Sequence, residues 1–383
     1  MWVPRGGAHC FASHLDLPFV RFLARFLAPR CNMSVVTIGQ TATAVPEHVL
    51  GRDELKAAAR ASFQLAPERL AAVLALFDGA GVERRHSVLP PGMLPERRDL
   101  TATMALYREH AVRLGRQVAS DCLARAGLTA RDVDLIISVS CTGVMLPSLD
   151  AHLANELGLR PDIRRLPITE LGCLGGAAAL SHARDFVLGH PEANVLVVSV
   201  ELPTLSFQRD DHSVANIVST AIFGDGAAAA LVTGRPVPGA ALLASQSHLF
   251  PASLDVLGFD LARDGFHVVL SRELPAIVRR EMRGVIQGLL DRAHVSRESL
   301  RSLVFHPGGR RILEALEEAL EVRGGETEPS REVLRDYGNV SSATVLFVLD
   351  EWLTRRRPPA GAHGLLGAFG PGFSCELLVL RWT

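Results

Sequence analysis

The feature that most constrains the fold of this chain is an internal duplication. Three segments each have a counterpart later in the sequence, in the same order: residues 126–139 pair with 293–306, 172–178 with 338–344, and 223–226 with 369–372. The first pair reads as a helix end, a turn and an apolar strand. The second is a small-residue turn that opens a helix, and the third is a Phe-Gly-x-Gly turn before an apolar strand. Three ordered pairs predict a chain built from two copies of one fold.

The duplication and the apolar runs together predict an α/β fold. Runs such as Leu135–Val139 suit central strands that are buried on both faces, and amphipathic helical patterns precede the strands in both halves. We therefore predict two halves that each hold a buried mixed sheet and pack face to face. Their expected bounds are residues 33–240 and 241–383, after an N-terminal extension at 1–32. An active site is expected between the halves.

Composition excludes several function classes. The 383 residues carry 40 Lys+Arg and 41 Asp+Glu, a formal net charge of −1, which gives no general attraction to nucleic acid or to an anionic membrane. The six cysteines are scattered and form no CxxC pair, so we expect a reduced, cytoplasmic protein. The sequence contains no recognisable metal-binding motif. With 48% apolar residues, the chain can bury a large core.

Residues 1–32 differ from the rest of the chain. The apolar stretch at 15–27 is interrupted by Arg21 and Arg25, which a signal-peptide core does not tolerate, and no run reaches the roughly 18 apolar residues of a membrane span. Two interpretations stay open: a short amphipathic helix that touches a membrane surface, or an upstream start codon with the natural start at Met33. We favour the second, because a strand-like pattern begins directly after Met33.

Cys173 is the candidate nucleophile. It lies in a Gly-Cys-Leu-Gly-Gly sequence, whose glycines permit a sharp strand-to-helix turn. Backbone N–H groups at a helix start carry partial positive charge, which predicts a lowered pKa for the thiol and a reactive thiolate. The alternative is a structural cysteine in a glycine-rich packing turn. The duplication argues against it, because it places Asn339 at the equivalent position.

His306 and Asn339 supply the other two groups of a catalytic site. His306 ends an apolar strand before Pro-Gly-Gly, and its imidazole can pair with a thiolate or stabilise an oxyanion. Asn339 offers an uncharged N–H donor, although helix capping is its ordinary role. These groups suit an acyl-thioester cycle. The thiolate takes an acyl group, and the His and Asn side chains stabilise the enolate that forms when a second thioester loses carbon dioxide.

With these residues in place, the chain resembles the type III polyketide synthases, the chalcone-synthase-like branch of the thiolase superfamily. The resemblance extends from about Val35 to Trp382 and rests on six segments in a fixed order: residues 141–147, 171–176, 222–226, 305–309, 337–342 and 367–373. It implies a thiolase-like αβαβα layered fold, a homodimer, and a catalytic triad of Cys173, His306 and Asn339. It further implies acyl-CoA and malonyl-CoA as substrates, with no cofactor.

The resemblance also implies which residues shape the substrate cavity. Phe223 and Phe266 match two gatekeeper phenylalanines between the CoA tunnel and the cavity, and Leu146 matches the residue that reaches into the partner's cavity across the dimer. The other implied residues are a polar cluster near the nucleophile, two cavity-lining positions and a loop behind the nucleophile: Glu201, Cys141 and Ser341; Ser206 and Leu257; and Gly370, Pro371 and Gly372.

Three departures from the family pattern affect the substrate prediction. Residues 71–81, where plant members carry basic residues for the CoA phosphates, contain no Lys or Arg, and Arg84 and Arg85 are the candidate replacements. Leu257 replaces a glycine of plant chalcone synthases, which argues against a coumaroyl starter. Cys141 replaces a threonine, and the same cysteine occurs in bacterial tetrahydroxynaphthalene synthases, which start from malonyl-CoA.

Two product classes therefore stay open. Residues 201–208, 270–275 and 330–339 look more like bacterial alkylpyrone and alkylresorcinol synthases, which use fatty acyl-CoA starters, and we favour this interpretation over a tetrahydroxynaphthalene synthase. A ketoacyl-carrier-protein synthase III-like enzyme shares the fold and the Cys-His-Asn set, but it lacks the Gly-Ala-Phe-Gly-Pro-Gly segment. A cysteine hydrolase does not predict the duplication, and a non-catalytic member has little reason to keep the triad.

Overall fold

The structure is a computed structural model that describes residues 35–383, except residues 64, 95, 97, 264, 323 and 324. The N-terminal extension predicted at 1–32, with both of its interpretations, lies outside the described residues. The boundary predicted near residue 240 between the two halves stays a prediction. Among the described helices, none is long and apolar enough to cross a membrane.

The described residues form thirteen β-strands and ten α-helices. The strands are β1 (Thr37–Ala44), β2 (His48–Gly51), β3 (Arg84–Ser87), β4 (Leu135–Val139), β5 (Arg164–Ile168), β6 (Asn194–Glu201), β7 (Gly226–Thr233), β8 (Ala240–Leu249), β9 (Leu257–Ala262), β10 (Gly265–Leu270), β11 (Leu300–Phe305), β12 (His363–Gly370) and β13 (Ser374–Trp382). The helices are α1 (Arg52–Ser62), α2 (Pro67–Gly79), α3 (Leu100–Ala126), α4 (Leu149–Leu157), α5 (Gly175–Gly189), α6 (Val214–Ile222), α7 (Leu274–Arg292), α8 (Arg310–Leu320), α9 (Glu328–Tyr337) and α10 (Thr344–Thr354).

Nine of the strands form one mixed sheet in the order β11-β12-β13-β8-β1-β7-β6-β4-β5. On one side, β4 pairs in parallel with β5 and β6, and β7 pairs antiparallel with β6 and β1. On the other side, β11 and β12 are parallel, and β13 is antiparallel to β12 and β8. A short antiparallel contact between β1 and β8 joins the two sides.

This strand order confirms the duplication. Two matching series of strands start at the contact between β1 and β8: β1, β7, β6 and β4 on one side, and β8, β13, β12 and β11 on the other. In each series the successive pairings are antiparallel, antiparallel and parallel. Only β5 lacks a counterpart among the described strands of this sheet. The repeated motifs therefore correspond to repeated elements of one fold.

Three hydrophobic cores give the molecule its layers. Successive residues of a strand point to opposite faces, so Val198 of β6 belongs to the core under α3, whereas Val197 belongs to a central core. On β13, Leu378 belongs to the same central core, and Leu377 belongs to a third core under α7 and α8. Helices therefore cover both outer faces and fill the centre. This αβαβα layering is the thiolase-like fold class that the sequence predicted.

The central layer consists of α5 and α10, whose side chains fill the central core. The two helices start close together, because a Cβ atom at Gly176 would lie only 2.2 Å from the carbonyl oxygen of Ser342. The residues just before these helix starts, Cys173 and Asn339, are thereby brought to the same place in the molecule.

Candidate active site

The backbone around Cys173 forms the sharp turn that its glycines predicted. Cys173 lies in a short 3-10 helix, Gly172–Leu174, directly before α5. Gly172 has a φ of +55°, and a Cβ atom there would come within 2.5 Å of Cδ of Pro371. Only glycine tolerates both this backbone conformation and this close approach. The loop between β12 and β13 thus supports the nucleophile from behind.

His306 follows the last residue of β11, and its side chain is buried. Its backbone N–H donates a 2.9 Å hydrogen bond to the carbonyl of Gly367, which extends the pairing of β11 with β12 by one residue. The chain then turns through Gly308 and Gly309 and begins α8 at Arg310. The strand therefore ends where the Pro-Gly-Gly sequence predicted.

Asn339 is held by the Phe-Gly-x-Gly turn before β7. Its N–H donates to the carbonyl of Ile222 at 2.7 Å, and its carbonyl accepts from the N–H of Gly224 at 3.0 Å. Its side-chain Nδ2 donates to the carbonyl of Gly308 at 3.1 Å, and the same carboxamide is close enough to the Cys173 thiol to act to lower the pKa of that thiol. These contacts fix the carboxamide as a donor that faces the nucleophile.

The three residues line one cavity of about 530 Å³, which we call the outer cavity. Its walls come from α2 and α6 of the first half and from β10, α7 and α8 of the second. The structure therefore brings together Cys173, His306 and Asn339, as the sequence predicted, and draws them from both halves. Their catalytic roles stay predictions.

Burial controls the protonation of this site. Desolvation raises the pKa of the Cys173 thiol to about 12, although hydrogen bonds from Ser341 and Asn339 act to lower it. Desolvation also lowers the pKa of the His306 imidazole to about 3. The raised pKa is opposite in direction to the lowered thiol pKa predicted from the helix start, because burial withholds water from a thiolate. Thiol and imidazole are both neutral in this site.

A polar cluster connects to the nucleophile through Ser341. The carboxylate of Glu201 is fully buried and accepts hydrogen bonds from the N–H of Cys141 at 3.1 Å, from Oγ1 of Thr142 at 2.7 Å and from the hydroxyl of Ser342. Burial raises the pKa of the Glu201 carboxyl. The Cys141 sulfur lies 3.2 Å from Oγ of Ser341, so the implied cluster of Glu201, Cys141 and Ser341 is assembled.

Ser341 is the centre of this cluster. Its Oγ lies 3.4 Å from the sulfur of Cys173 and 3.2 Å from that of Cys141, so one hydroxyl touches both thiols. Its φ is +47°, a left-handed conformation that costs a non-glycine residue roughly 1–3 kcal/mol. A 2.8 Å hydrogen bond from its N–H to Oδ1 of Asn339 maintains that conformation. Backbone strain at this position places the hydroxyl between the two sulfurs.

Beyond Ser341 lies a smaller cavity of about 60 Å³, which we call the inner cavity. Phe223 lines both cavities and so lies at the boundary between them, where the gatekeeper prediction puts it. Leu257 lines the outer cavity, and Ser206 and Arg85 line the inner one. The two predicted cavity-lining positions are therefore on different sides of the boundary.

Phe266 lines neither of these two cavities formed by the described residues. It lines a third cavity of about 30 Å³, and its ring packs edge-on against Phe259 with 6.0 Å between centroids. Val268, two residues later and on the same face of β10, lines both the outer and the inner cavity. The structure thus brings Val268, and not Phe266, to the boundary.

The remaining implied residues lie on two separate loops. Gly370, Pro371 and Gly372 end β12 and lead into β13 behind the nucleophile, as implied, and a Cβ atom at Gly370 would lie 2.5 Å from the carbonyl oxygen of Leu171. Leu146 lies on the loop before α4, and its side chain is 87% exposed. A large apolar side chain with this exposure has no packing role within its own chain.

The two arginines predicted to replace the CoA-binding basic residues lie elsewhere. Arg84 is exposed and pairs with Asp336 at 3.3 Å, whereas Arg85 is buried in the wall of the inner cavity. The outer cavity has other arginines in its wall: Arg272, Arg310 and Arg311. Sequence reasoning missed them, although two of the three directly follow the Pro-Gly-Gly turn after the candidate catalytic histidine, which was the available signal.

Comparison with known proteins places the whole described chain in one family. Residues 27–236 match the N-terminal domain of chalcone and stilbene synthases, and residues 241–383 match the C-terminal domain. A 1,3,6,8-tetrahydroxynaphthalene synthase from Streptomyces peucetius subsp. caesius is 39% identical over 346 residues, which cover 89% of this chain and 91% of that protein. A putative chalcone synthase from Bacillus subtilis is 32% identical and covers 91% of this chain and 98% of the relative.

Solved structures agree with this relationship. The crystal structure of 1,3,6,8-tetrahydroxynaphthalene synthase from Streptomyces coelicolor A3(2) superposes with a TM-score of 0.87 at 36% identity, over 91% of this chain and 99% of that one. The C-terminal type III polyketide synthase domain of a Dictyostelium type I/III hybrid has a TM-score of 0.85 at 26% identity, over 91% and 99% of the two chains. The match spans the layered fold and both sides of the site.

Proposed function

The chain belongs to the chalcone and stilbene synthase family, the type III polyketide synthases, and from this premise we propose how its site builds a polyketide. As a member, it is an acyltransferase that joins CoA thioesters by decarboxylative Claisen condensation. The single observation that carries the residue assignment is the convergence of Cys173, His306 and Asn339 in the outer cavity. In the proposal Cys173 is the nucleophile, and the other two residues stabilise developing negative charge.

Acyl transfer to the enzyme is the first proposed step. The Cys173 thiol passes its proton to the imidazole of His306, and the sulfur forms a bond to the acyl-CoA carbonyl carbon. The C–S bond to CoA breaks, and the CoA thiolate takes the proton from the imidazolium. Because burial disfavours each charged group alone, the thiolate–imidazolium pair forms only while both charges are close together.

Decarboxylation and condensation follow. The bond between the malonyl carboxylate and the α-carbon breaks, carbon dioxide leaves, and the electron pair moves onto the thioester oxygen as an enolate. Nδ2 of Asn339 and the His306 imidazole donate hydrogen bonds to that oxygen. The enolate carbon then forms a C–C bond to the acyl carbonyl on Cys173, the C–S bond to Cys173 breaks, and the departing thiolate takes up one proton from solvent, the proton that decarboxylation of the malonate anion consumes.

The proposed substrate is malonyl-CoA, as starter and extender alike, and the product is an aromatic polyketide of the tetrahydroxynaphthalene type. The Streptomyces relatives named as tetrahydroxynaphthalene synthases support this substrate class. So does the contact of Cys141 with Ser341, because the resemblance relates this cysteine to naphthalene-forming enzymes. No cofactor is required by the proposed steps.

A fatty acyl-CoA starter, the prediction favoured from sequence, is the second candidate and is unconfirmed. The apolar wall of the outer cavity supports it, because an alkyl chain gains free energy by leaving water for such a surface. That wall includes Val214, Val218, Leu257, Leu270 and Leu274. With this starter the product is an alkylpyrone or an alkylresorcinol.

CoA thioesters are proposed to enter along the arginines of the outer cavity. Arg272, Arg310 and Arg311 are exposed at its wall, and guanidinium groups bind phosphate oxygens in a bidentate manner. The opposite wall, formed by α2, contributes only small and apolar residues: Ala75, Leu76, Gly79 and Ala80. The phosphates of CoA are therefore assigned to the α8 side of the mouth.

The test combines carbon dioxide release from labelled malonyl-CoA with mass measurement of the products. We expect Cys173→Ala to abolish chain extension but to leave some decarboxylation. Asn339→Ala is expected to slow decarboxylation by on the order of 10²–10³, the typical effect of losing one oxyanion donor. Cys375→Ala, at a buried cysteine outside both cavities, is the matched control and keeps both activities. A polyketide made by Cys173→Ala would contradict the assigned nucleophile.

A cytoplasmic homodimer completes the proposal. The exposed side chain of Leu146 supports the dimer, because burying it against a partner removes apolar surface from water. The family resemblance implies that this residue reaches the partner's cavity, so we propose that the dimer interface and the substrate cavity are adjacent.

A further inference from the structure

A buried arginine in the wall of the inner cavity lacks hydrogen-bond partners. Arg85 of β3 is only 4% exposed, and neither its Nε nor its Nη1 has a partner among the described residues. Its aliphatic stem is fixed, because its Cβ lies 2.9 Å from the position a Cβ would take at Gly224 and 3.5 Å from that at Gly338. Buried donors in proteins are nearly always paired, so these guanidinium donors require an acceptor that the described chain does not supply.

Two further donors face the same cavity without partners. Ser219 of α6 and Ser206, in the short helix Pro203–Ser206, both line the inner cavity, and their buried hydroxyls have no hydrogen-bond partner in the described part of the chain. The guanidinium and the two hydroxyls come from three different elements. Their convergence gives the inner cavity three donor side chains without partners.

The nearest carboxylate does not satisfy the guanidinium. Asp225 attracts Arg85 electrostatically, but the oxygens of Asp225 accept hydrogen bonds from other groups. The donors are the N–H of Val88 at 2.9 Å, the N–H of Thr204 at 2.9 Å and the hydroxyl of Thr204. Asp225 is not part of the cavity wall. Arg85 is therefore the one charged residue that lines this cavity among the residues described, and its donors remain available to a ligand.

We propose that the inner cavity is a carboxylate subsite, in which Arg85 and Ser219 bind the terminal carboxylate of a short acyl group attached to Cys173. A guanidinium donates charge-assisted hydrogen bonds to carboxylate oxygens, whereas an alkyl chain would leave these donors unpaired. A cavity of about 60 Å³ has room for a carboxylate, since a single water needs only about 10–15 Å³ of the same kind of volume.

The position of the subsite suits a starter and not an extender. Ser341 lines the inner cavity and its Oγ is 3.4 Å from the sulfur of Cys173, so an acyl group on that sulfur can extend past Ser341 into the cavity. A carboxylate bound to a guanidinium loses carbon dioxide less readily, because its charge is stabilised before the bond breaks. This inference rests on the proposed function and adds to it that the starter keeps its carboxylate during loading.

The test compares pairs of acyl-CoAs of equal chain length that differ only at the far end. Succinyl-CoA is set against butyryl-CoA, and glutaryl-CoA against pentanoyl-CoA. Acylation of Cys173 in the full chain is followed by mass spectrometry, with Cys173→Ala as the blank. We expect the acid-ended member of at least one pair to load about 10- to 100-fold faster, the range that charge-assisted hydrogen bonds give. Equal loading, or faster loading of the alkyl member, in both pairs overturns the proposal without any variant.

Variants then locate the subsite. Arg85→Gln and Ser219→Ala are expected to reduce the ratio of acid-ended to alkyl loading toward one, while Arg84→Gln, at the exposed neighbour of Arg85, keeps it. If Arg85→Gln folds and keeps the wild-type loading ratio, the assignment of the subsite is overturned. If Arg85→Gln does not fold, an unchanged ratio in Ser219→Ala overturns it. Carbon dioxide release from malonyl-CoA by the same preparations distinguishes failure of the subsite proposal from failure of the proposed function. Polyketide synthesis without a loading preference would contradict the subsite alone. If no thioester acylates Cys173, the proposed function is contradicted as well.

Discussion

At the scale of single residues, the site keeps its reactive groups uncharged until a substrate enters. Burial sets the pKa of the Cys173 thiol near 12 and that of the His306 imidazole near 3, so neither group carries charge at neutral pH. Asn339 is a donor whose protonation does not change with pH. A neutral thiol reacts slowly with other electrophiles, and the proposed cycle charges it only together with the imidazole.

The acid stability of the protein should depend on His306. Its folded-state pKa, near 3, is lower than the ordinary value of 6.5, so the unfolded chain binds one more proton between those pH values. The neutral imidazole contributes stability above pH 6.5, and this contribution is lost as the pH falls toward 3. Between pH 7 and 5 we expect the wild type to lose about 2 kcal/mol more unfolding free energy than His306→Asn. Urea unfolding at both pH values measures this.

A matched control for that experiment is His294→Asn, at an exposed histidine in the turn after α7. It should follow the wild type at both pH values. If His306→Asn shows the same pH dependence as the wild type, the imidazole is not buried in its neutral form.

The identities of the three triad residues could be predicted from the sequence, whereas their protonation could not. Glycines around Cys173 and the Pro-Gly-Gly after His306 determine local turns, and local turns depend on neighbouring residues. A pKa near 12 or near 3 depends on how much water the surrounding layers exclude, which is decided by tertiary packing. For the same reason, the burial of Arg85 could not be predicted. Arg84 is exposed and Arg85 is buried, but their strand has only four residues, too few to show an alternation of apolar and polar residues.

At the scale of elements, the site depends on how closely the two central helices approach. Gly176, the second residue of α5, packs against the backbone of Ser342, which follows the serine whose hydroxyl touches both thiols. The glycines of this turn could be predicted as tight packing positions. The presence of Val268 instead of Phe266 at the cavity boundary could not be predicted, because both residues lie on the same face of β10 and only tertiary packing decides which part of the strand reaches the boundary.

Gly176→Ala should therefore destabilise the protein by about 1–3 kcal/mol, because the added methyl group overpacks the contact with Ser342. Gly189→Ala is the matched control at the other end of the same helix, where a Cβ atom meets nothing within 4 Å among the described atoms. It should be neutral or stabilise by up to about 1 kcal/mol, since alanine favours helix more than glycine does. Equal destabilisation by both substitutions in urea unfolding would contradict the close helix approach.

The arginines at the mouth of the outer cavity give a prediction about substrate binding. The double variant Arg272→Ala and Arg311→Ala should raise KM for malonyl-CoA by about tenfold, because two guanidinium–phosphate contacts are lost. KM for malonyl-pantetheine, which lacks the nucleotide phosphates, should not change. Arg283→Ala, which removes an exposed partner of Glu321 outside the cavity, is the control. The same rise in KM for both substrates would mean that these arginines shape the cavity and do not bind phosphate.

At the scale of the whole molecule, duplication followed by divergence explains where the site lies. Both halves place a helix start at the centre of the molecule, and the first half contributes Cys173 while the second contributes His306 and Asn339. Among the described residues, β1 and β8 pair at two positions, and side chains of α5 and α10 fill the central core between the two sides of the sheet. A site of this kind requires both copies.

Association into a dimer is the prediction that belongs to this scale. Leu146 and Leu254 are similarly exposed, at 87% and 83%, but only Leu146 is implied at the dimer interface. Sedimentation of the wild type should give twice the chain mass of 41.2 kDa, and Leu146→Glu should shift it toward one chain, because a buried unpaired carboxylate opposes association. Leu254→Glu should remain dimeric. A monomeric wild type, or equal behaviour of the two variants, would refute a dimer interface centred on the loop that carries Leu146.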